Sequence, residues 1–251
     1  MNIYETPRLV HEYLLFHYGQ PDEILPWPQG PREALGFAER TVTELADWTK
    51  MPANGRALDL GCAVGRSAFE LAKHSAAVIG IDYSQSFIAA ATALRQAGEL
   101  AYERVDEGAA TSALVAHVPQ DCPRERVTFE QGDAMHLRDD LGSFDLVHAA
   151  NLLCRLNEPQ RLLERLPDLV QPGGQLLLTT PCTWLEEFTP RGNWPTGATR
   201  EWLQSRLSPH FDLALEIDLP FLIREHARKF QWSVAWGTRW LRKNRSVSEE
   251  S

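Results

Sequence analysis

Residues 57–72, ALDLGCAVGRSAFELA, decide the fold of this chain. They begin as an apolar strand, pass through a turn that contains Gly61 and Gly65, and end as an amphipathic helix. A glycine turn lets a ligand approach the backbone closely and lie at the amino terminus of the helix that follows. The stretch therefore predicts the first strand–turn–helix unit of an open, mainly parallel sheet.

Downstream of this stretch, short apolar runs alternate with helical patterns, which is typical of repeated βα units. The last two runs show period-two alternation instead, and this predicts an antiparallel hairpin. The predicted fold class is α/β, with a mainly parallel sheet of seven strands. These strands are predicted at residues 57–60, 77–81, 127–131, 144–149, 175–180, 211–219 and 228–241.

Two helices are predicted upstream, over residues 7–18 and 31–50, and would form a cap on the sheet. Residues 84–107 are predicted as one long helix, and residues 108–126 as an insertion without an assigned function. A chain of 251 residues is too short for two α/β domains with separate cores. We therefore expect one domain over residues 1–245, with the cap at 1–50, and a flexible tail at 246–251.

The composition, 43% hydrophobic and 24% charged, is typical of soluble globular proteins. No apolar run approaches the ~20 residues needed to cross a bilayer. The amino terminus lacks the basic flank and the cleavage site of a secretory signal. These features predict a cytoplasmic protein that does not bind membranes.

The formal net charge of −9 gives no general attraction to a phosphate backbone, so we expect a small-molecule substrate and no nucleic acid. The four cysteines form no C-x-x-C pair, and the eight histidines lack the spacing of metal ligands. No metal is therefore predicted. The sequence leaves open whether the protein is a monomer or a homodimer.

Acidic residues follow the second and third predicted strands. Asp82 ends the second strand, where a carboxylate can accept hydrogen bonds from both ribose hydroxyls of an adenosine ligand. After the third strand, Asp133 could meet the adenine amino group and Met135 could lie on the ring. Taken alone, the glycine turn could be a tight connection and Asp133 a helix cap. Their order and spacing together predict a nucleoside site.

In this order the residues resemble the class I S-adenosylmethionine-dependent methyltransferases. The resemblance implies a Rossmann-like fold with an antiparallel last strand, S-adenosylmethionine as cofactor and S-adenosylhomocysteine as product. One departure is Ala63, which replaces the middle glycine of the family's usual turn. A nicotinamide dehydrogenase would need G-x-G-x-x-G, which this turn lacks. The resemblance implies cofactor contacts for Asp59, Gly61, Gly65, Asp82 and Asp133. The other cofactor-binding candidates are Tyr13, Cys62, Tyr83, Ala134, Met135 and Asn151.

Further segments carry a narrower resemblance. Residues 4–6 with 12–19, residues 183–190 and residues 220–232 are similar to the 4-mercaptohistidine N1-methyltransferases of ovothiol biosynthesis. The similarity implies methyl transfer to the imidazole π-nitrogen of 5-thiohistidine, which gives ovothiol A. Two alternatives remain: a small-molecule methyltransferase with another acceptor, and a non-catalytic protein that binds S-adenosylmethionine.

The acceptor is expected at the loops after strands four, five and six, because ligands lie beyond the carboxyl ends of parallel strands. These loops are predicted at residues 151–155, 181–190 and 220–225. Arg224 is the preferred partner of the substrate carboxylate and Arg228 the second choice, because arginine holds carboxylates with two hydrogen bonds. Trp184 could stack on the imidazole or fill space. The substrate-binding candidates are Thr183, Trp184, Glu187, Phe221, Arg224 and Arg228.

Transfer from a sulfonium is an in-line displacement, so alignment can supply much of the acceleration. The acceptor nitrogen must still lose a proton, which His17, Tyr18, Glu186 or His226 could accept. The residues do not choose among these four. Tyr13, His17 and Tyr18 lie on nearby turns of the first helix, which is predicted to cover the cofactor. The catalytic candidates are His17, Tyr18, Asn151 and Glu186.

Overall fold

The chain folds around a seven-stranded sheet in a computed structural model, which describes residues 3–244. The predicted tail at 246–251 lies outside the described residues. The strands are β1 (Arg56–Leu60), β2 (Ala77–Asp82), β3 (Glu99–Glu107), β4 (Ala110–His117), β5 (Val127–Gln131), β6 (Phe144–Ala150), β7 (Val170–Thr180), β8 (Phe211–His226) and β9 (Lys229–Arg242). The α-helices are α1 (Pro7–Tyr18), α2 (Pro21–Ile24), α3 (Phe37–Thr43), α4 (Arg66–Ala72), α5 (Gln85–Ala97), α6 (Pro159–Leu169) and α7 (Thr199–Leu207).

The strand order of the main sheet is β5-β2-β1-β6-β7-β9-β8. Neighbours from β5 to β7 pair in parallel, whereas β9 is antiparallel to both β7 and β8. The predicted Rossmann-like sheet with an antiparallel last strand is thereby confirmed. Helices α1, α3, α4 and α5 contribute to the core on one face of the sheet, and α6 and α7 to the core on the other. Burial on both faces explains why the parallel strands are nearly continuous apolar runs.

The prediction of one helix over residues 84–107 is wrong. Helix α5 ends at Ala97, because Gly98 adopts φ of 83° and its amide donates to the carbonyl of Leu94. Strand β3 follows directly and pairs with β4 in a hairpin, with Tyr102 opposite Leu114. The predicted insertion at 108–126 thus supplies the second strand of this hairpin. Gly98 as a left-handed helix cap was the overlooked signal.

The predicted helix over residues 31–50 is also interrupted. Gly36 adopts φ of 67° and precedes α3, which has only seven residues. Short 3-10 turns lie on either side, at Arg32–Ala34 and Trp48–Lys50. The other upstream helix, predicted at residues 7–18, is confirmed, since α1 begins at Pro7 and ends at Tyr18.

The predicted loop at residues 220–225 is instead part of β8, which continues to His226. Pro220 is opposite Val234 in the β8–β9 ladder. A proline is tolerated here because β8 is the edge strand, so a missing amide hydrogen need not cost a ladder hydrogen bond. The loop prediction treated Pro220 as the end of the strand and was wrong for this reason.

The amino-terminal segment is tied to the beginning of α5. The Glu5 carboxylate accepts hydrogen bonds from the amides of Gln85 and Ser86, at 3.0 and 3.1 Å. The Ser84 hydroxyl donates to the carbonyl of Tyr4 at 2.9 Å. These bonds hold the segment before α1 against the amino terminus of α5. None of the helices in the described part of the chain is long and apolar enough to cross a lipid bilayer.

Arg224 joins three parts of the fold and is 4% exposed. Its guanidinium donates to the carbonyl of Glu23 at 2.7 Å and to the carboxylate of Asp106 at 3.1 Å. We expect Arg224→Ala to lower the free energy of unfolding by about 1.5–3 kcal/mol, the range for hydrogen bonds to a charged group. Urea unfolding measures this loss. Arg228→Ala, at an exposed position, is the control, and equal stability of the two variants would contradict the prediction.

Candidate active site

The turn after β1 has three residues in the left-handed region of backbone conformation. Gly61, Ala63 and Gly65 have φ of 69°, 47° and 87°. Glycine adopts this conformation freely, whereas a side chain there costs about 1–2 kcal/mol. A Cβ on Gly65 would also lie 2.5 Å from Cζ of Phe129. Gly65 is therefore required by sterics alone, and Ala63 keeps the turn's shape at the cost of strain.

Asp82 lies beside this turn at the end of β2. Its Oδ2 accepts from the amide of Ala63 at 2.9 Å and its Oδ1 from the amide of Ser84 at 2.8 Å. Burial raises the pKa of the Asp82 carboxyl to about 6, and the negative charges of Asp59 and Glu5 add to the increase. The two hydrogen bonds from the backbone act in the opposite direction and lower this pKa. Each carboxylate oxygen has a further lone pair that can accept from a ribose hydroxyl.

Asp59 supplies an acceptor that lacks a partner. The residue is 1% exposed, and its Oδ1 lies 2.7 Å from Nδ1 of His148. Its Oδ2 is buried without a hydrogen-bond partner among the described residues. A buried, unpaired carboxylate oxygen is costly, and a ligand ammonium would satisfy it. Oδ2 of Asp59 fits the amino group of S-adenosylmethionine, and Asp82 fits its ribose. The glycine turn leaves room for the ligand to lie against the protein backbone.

The third acid, Asp133, lies after β5 and already has local partners. Its Oδ1 accepts from the amide of Met135 at 2.8 Å, and its Oδ2 lies 3.0 Å from Nδ1 of His136. Ala134 is buried, and Met135 packs against the core on the α6 side. Asp133 is thus a turn cap, with lone pairs left for an adenine amino group. Tyr83, after β2, is exposed.

One face of α1 lies over the turn. The Tyr18 hydroxyl donates to the carbonyl of Val64 at 2.8 Å, and burial raises its pKa well above the usual value. The Tyr13 ring lies 4.7 Å from that of Phe87. Burial, together with the positive charge of Arg66, lowers the pKa of His17 to about 3, and its Nδ1 is buried without a hydrogen-bond partner among residues 3–244. His17 is therefore neutral, and Tyr18 remains protonated.

Asn151 lies at the carboxyl end of β6, beside the turn. It has φ of 51°, and its side-chain oxygen accepts from the Thr179 hydroxyl at 2.9 Å. The adjacent Leu152 is so close to Gly61 that a Cβ on this glycine would lie 3.0 Å from Cδ1 of Leu152. The structure thus brings Asn151 to the predicted cofactor site. Strained backbone at such a position is typical of functional sites.

The loop at residues 181–190 holds several predicted acceptor residues, which are exposed or have partners elsewhere. Nε1 of Trp184 donates to the Thr199 hydroxyl at 2.8 Å, and its ring packs edge-on against Trp202. Trp184 thus anchors the loop to α7. Of the two predicted roles, this one corresponds to filling space and not to stacking on the imidazole. Glu186 is exposed and pairs with Arg191 at 2.6 Å. Thr183 and Glu187 are also exposed.

The same loop contacts the amino-terminal segment through residues that the sequence placed in the acceptor loops or the resembling segments but to which it gave no role. The rings of Tyr4 and Phe188 lie 6.1 Å apart, and the Arg155 guanidinium lies 4.7 Å from the centre of the Phe188 ring. Arg155 also donates to the carbonyl of Cys154 at 3.2 Å. Arg155 stands in the predicted loop after the fourth strand, so its position was a usable signal. Its cation–π contact with Phe188 could not be predicted from the sequence, because the two residues come together only when the chain folds.

The structure does not bring Arg224 to this site. Arg224 lines a cavity of about 570 Å³ together with Arg8 and His11 of α1. Since an α-helix turns about 100° per residue, Tyr13 and His17 project from the other side of α1. Helix α1 therefore separates Arg224 from the turn after β1.

Phe221 and Arg228 also lie away from the turn. Phe221 is buried, with its ring 4.8 Å from that of Phe37. Arg228 is exposed near the end of the β8–β9 hairpin, with its guanidinium 5.8 Å from the Trp27 ring. Within residues 3–244, no group of three or more His, Cys, Asp or Glu is placed to hold a metal ion.

Two of the left-handed residues of the turn, Ala63 and Gly65, provide a test of its geometry. We expect Gly65→Ala to lower the free energy of unfolding by about 1–2 kcal/mol or more, because a left-handed φ is combined with the contact to Phe129. Ala63→Gly is the matched variant and should keep or increase stability, since glycine relieves the strain. Urea unfolding measures both. A Gly65→Ala protein as stable as the parent would contradict the geometry.

Comparison with known proteins supports the same assignment. A family model described as a methyltransferase domain matches residues 32–216. The ubiquinone biosynthesis O-methyltransferase of Coxiella burnetii is 28% identical over 49% of this chain and 42% of its own length. The trans-aconitate 2-methyltransferase of Deinococcus radiodurans is 32% identical over 49% of this chain and 37% of its own. The chain thus spans less than half the length of these curated relatives.

Two solved structures show the same fold over nearly the whole chain. The [4+2]-cyclase SpnF has a TM-score of 0.57 and 18% identity, covering 95% of this chain and 97% of its own. The N-methyltransferase NodS from Bradyrhizobium japonicum, solved with S-adenosyl-L-homocysteine, has a TM-score of 0.53 and 15% identity, covering 93% and 98%. The family match confirms the predicted methyltransferase family. The chain belongs to the class I S-adenosylmethionine-dependent methyltransferase domain family.

Proposed function

We propose that the protein is a small-molecule N-methyltransferase that methylates the imidazole π-nitrogen of 5-thiohistidine, giving ovothiol A and S-adenosylhomocysteine. One observation carries the proposal beyond the family: the segments that resemble the 4-mercaptohistidine N1-methyltransferases meet around α1. Tyr4 contacts Phe188, and the Phe16 ring lies 6.3 Å from that of Phe221. Segments far apart in sequence thus contact the same amino-terminal segment, residues 4–18.

The amino-terminal segment is also where this chain adds to the family pattern. The methyltransferase match begins at residue 32, after α1 and α2. Helix α1 covers the turn after β1 and is tethered by the hydrogen bonds of Glu5 and Tyr18. A lid of this kind excludes water from the reacting groups. It also gives the acceptor site side chains that the shared domain does not supply.

The cofactor roles follow from the geometry of the turn. Asp82 accepts from the ribose hydroxyls, Asp59 from the methionine ammonium and Asp133 from the adenine amino group. Gly61 and Gly65 let the ligand approach the backbone. The cofactor supplies an electrophilic methyl group on a sulfonium. The other proposed cofactor contacts are Tyr13, Cys62, Tyr83, Ala134, Met135 and Asn151.

The acceptor lies beside Asn151, between α1 and the loop at residues 181–190. Arg155 replaces Arg224 as the proposed partner of the substrate carboxylate, since it is the guanidinium beside Tyr4 and Phe188. Thr183 and Glu187 remain proposed contacts at the exposed rim of this loop.

His17 is the proposed hydrogen-bond acceptor for the imidazole N–H of the substrate, and its low pKa means that it orients the ring without taking the proton, which passes to solvent. Its Nδ1 is buried without a partner within the described chain, and the ring is neutral, so it can accept a hydrogen bond from an imidazole N–H. Tyr18 is a poor alternative because its proton is held by the carbonyl of Val64. Glu186 is exposed and paired with Arg191. His17 therefore orients the imidazole while alignment with the methyl group supplies most of the acceleration.

Cofactor affinity should depend on pH through Asp82. Its pKa is raised to about 6, so the carboxyl is protonated below that pH and loses an acceptor for the ribose. We expect the Kd for S-adenosylhomocysteine to be constant above pH 7 and to rise by up to about tenfold per pH unit below pH 6. His17, with a pKa of about 3, does not titrate in this range. Calorimetry from pH 5 to 8 measures the effect.

The control for this titration is Asp82→Asn. Its side chain keeps the size of aspartate but does not ionise, so its Kd should be weaker and nearly independent of pH. The same pH dependence in both proteins would exclude Asp82 as the titrating group.

The activity itself is tested by incubating the protein with S-adenosylmethionine and 5-thiohistidine. Mass spectrometry should show a product heavier by one methyl group, and NMR should place that group on the π-nitrogen. Histidine and a simple imidazole are the comparison acceptors. Methylation of these alone would support a different acceptor, and binding of the cofactor without any product would support a non-catalytic role.

Arg155 gives a second test of the acceptor site. We expect Arg155→Ala to raise the KM for 5-thiohistidine by about tenfold or more, the loss of one hydrogen bond to a charged group, with little change in cofactor affinity. Arg191→Ala removes an exposed guanidinium of the next segment and is the matched control. An unchanged KM in Arg155→Ala would remove this residue from the site.

A further inference from the structure

A buried polar chain joins β1, β6 and α3 behind the proposed cofactor site. Nδ1 of His148 lies 2.7 Å from Oδ1 of Asp59, and its Nε2 lies 3.0 Å from the hydroxyl oxygen of Thr41. Thr41 and His148 are 0% exposed and Asp59 is 1% exposed. The sheet register explains the first contact, because Asp59 and His148 are directly paired on neighbouring parallel strands.

The hydrogens of this chain can be assigned by counting donors and acceptors. An ionised carboxylate only accepts, so the proton between Asp59 and His148 resides on Nδ1. On its other side, Nε2 either donates to Thr41, whose hydroxyl also lies 3.1 Å from the carbonyl of Ala38, or accepts from that hydroxyl. In both arrangements His148 donates to Oδ1 of Asp59. Within the part of the chain that the structure describes, Oδ2 is left without a donor.

A gain in stability does not explain why these three hydrogen-bonded side chains are buried. Polar groups in an apolar interior are expensive, and replacing a buried charged pair by well-packed apolar residues is often neutral or stabilising. The neighbours of His148 on β6, Val147 and Ala149, are apolar and fully or almost fully buried. A role in fixing the direction of one carboxylate oxygen accounts for a histidine at this position.

We propose that His148 is a positioning residue: through Nδ1 it holds Asp59 so that Oδ2 faces the ammonium of the cofactor's methionine part. The proposal rests on the proposed assignment of Asp59 to that ammonium. Thr41 fixes the other side of the imidazole and so connects the amino-terminal helix α3 to the cofactor site. His148 acts only through Asp59 and does not touch the cofactor.

Two ligands separate this role from a general structural one. S-Adenosylhomocysteine carries the ammonium, whereas 5′-methylthioadenosine has the same adenosine and sulfur without the amino-acid part. In His148→Leu the Kd for S-adenosylhomocysteine should rise about tenfold or more, as for a lost hydrogen bond to a charged group. The Kd for 5′-methylthioadenosine should change by less than about twofold. Calorimetry below the unfolding temperature measures both.

Conservative variants provide the rescue. In His148→Asn the side-chain amide can donate from near the position of Nδ1, so S-adenosylhomocysteine binding should return to within about threefold of the parent. Thr41→Val removes only the outer hydrogen bond and should give a smaller loss of the same kind. This variant keeps the test available if His148→Leu does not fold. The double variant Asp59→Asn/His148→Leu should bind S-adenosylhomocysteine no more weakly than the weaker-binding single variant, because both substitutions remove the same interaction.

Equal weakening of both ligands in His148→Leu and Thr41→Val would show a merely structural role and overturn the proposal. Unchanged binding of both ligands would overturn it as well. If Asp59→Asn binds S-adenosylhomocysteine as the parent does, the ammonium assignment fails and the role of His148 fails with it. No acceptor is present in these measurements, so a failure of 5-thiohistidine as substrate remains a separate result.

Discussion

The hydrogen bonds between the turn after β1 and the carboxyl end of β2 hold the site together. The amides of Gly61 and Cys62 donate to the carbonyl of Ile81 at 2.8 and 3.1 Å, and the amide of Ala63 donates to Asp82. These bonds fix a backbone that is left-handed at three positions. The helix that follows therefore begins at the point where the acids of β1 and β2 converge. Without them, neither Asp82, the proposed ribose acceptor, nor the left-handed turn would be in place.

Helix α1 depends on this turn and in return closes it. The Tyr18 hydroxyl bonds the carbonyl of Val64 within the turn, and the segment before the helix is bound to the start of α5. The helix consequently has two different environments. Its inner face carries Tyr13 and His17 over the site, while its outer face borders the cavity that Arg224 lines. This division explains why Arg155 and Arg224, which both lie in predicted acceptor loops, have different roles.

Features with a local cause could be predicted from the sequence. The strand–turn–helix at residues 57–72, the acids at the strand ends and α1 all follow from short patterns of apolar residues, glycine and caps. The end of α5 at Gly98 was equally local and was overlooked, because the apolar pattern beyond it looked helical. Strand β8 was different: Pro220 usually ends a strand, and only its place at the sheet edge allows the strand to continue.

The sequence by itself determined the class of the fold, the order along the chain of the seven strands of the main sheet, and the glycine turn after the first of them, because these depend on residue types at fixed spacing. Only the tertiary structure decided which side chains share the site. It placed Arg155 beside Phe188, Arg224 behind α1, and His148 against Asp59 through the pairing of β1 with β6. The physical reason is that such contacts join residues distant in the chain. Their geometry is set by strand order, register and helix packing, which no local pattern encodes.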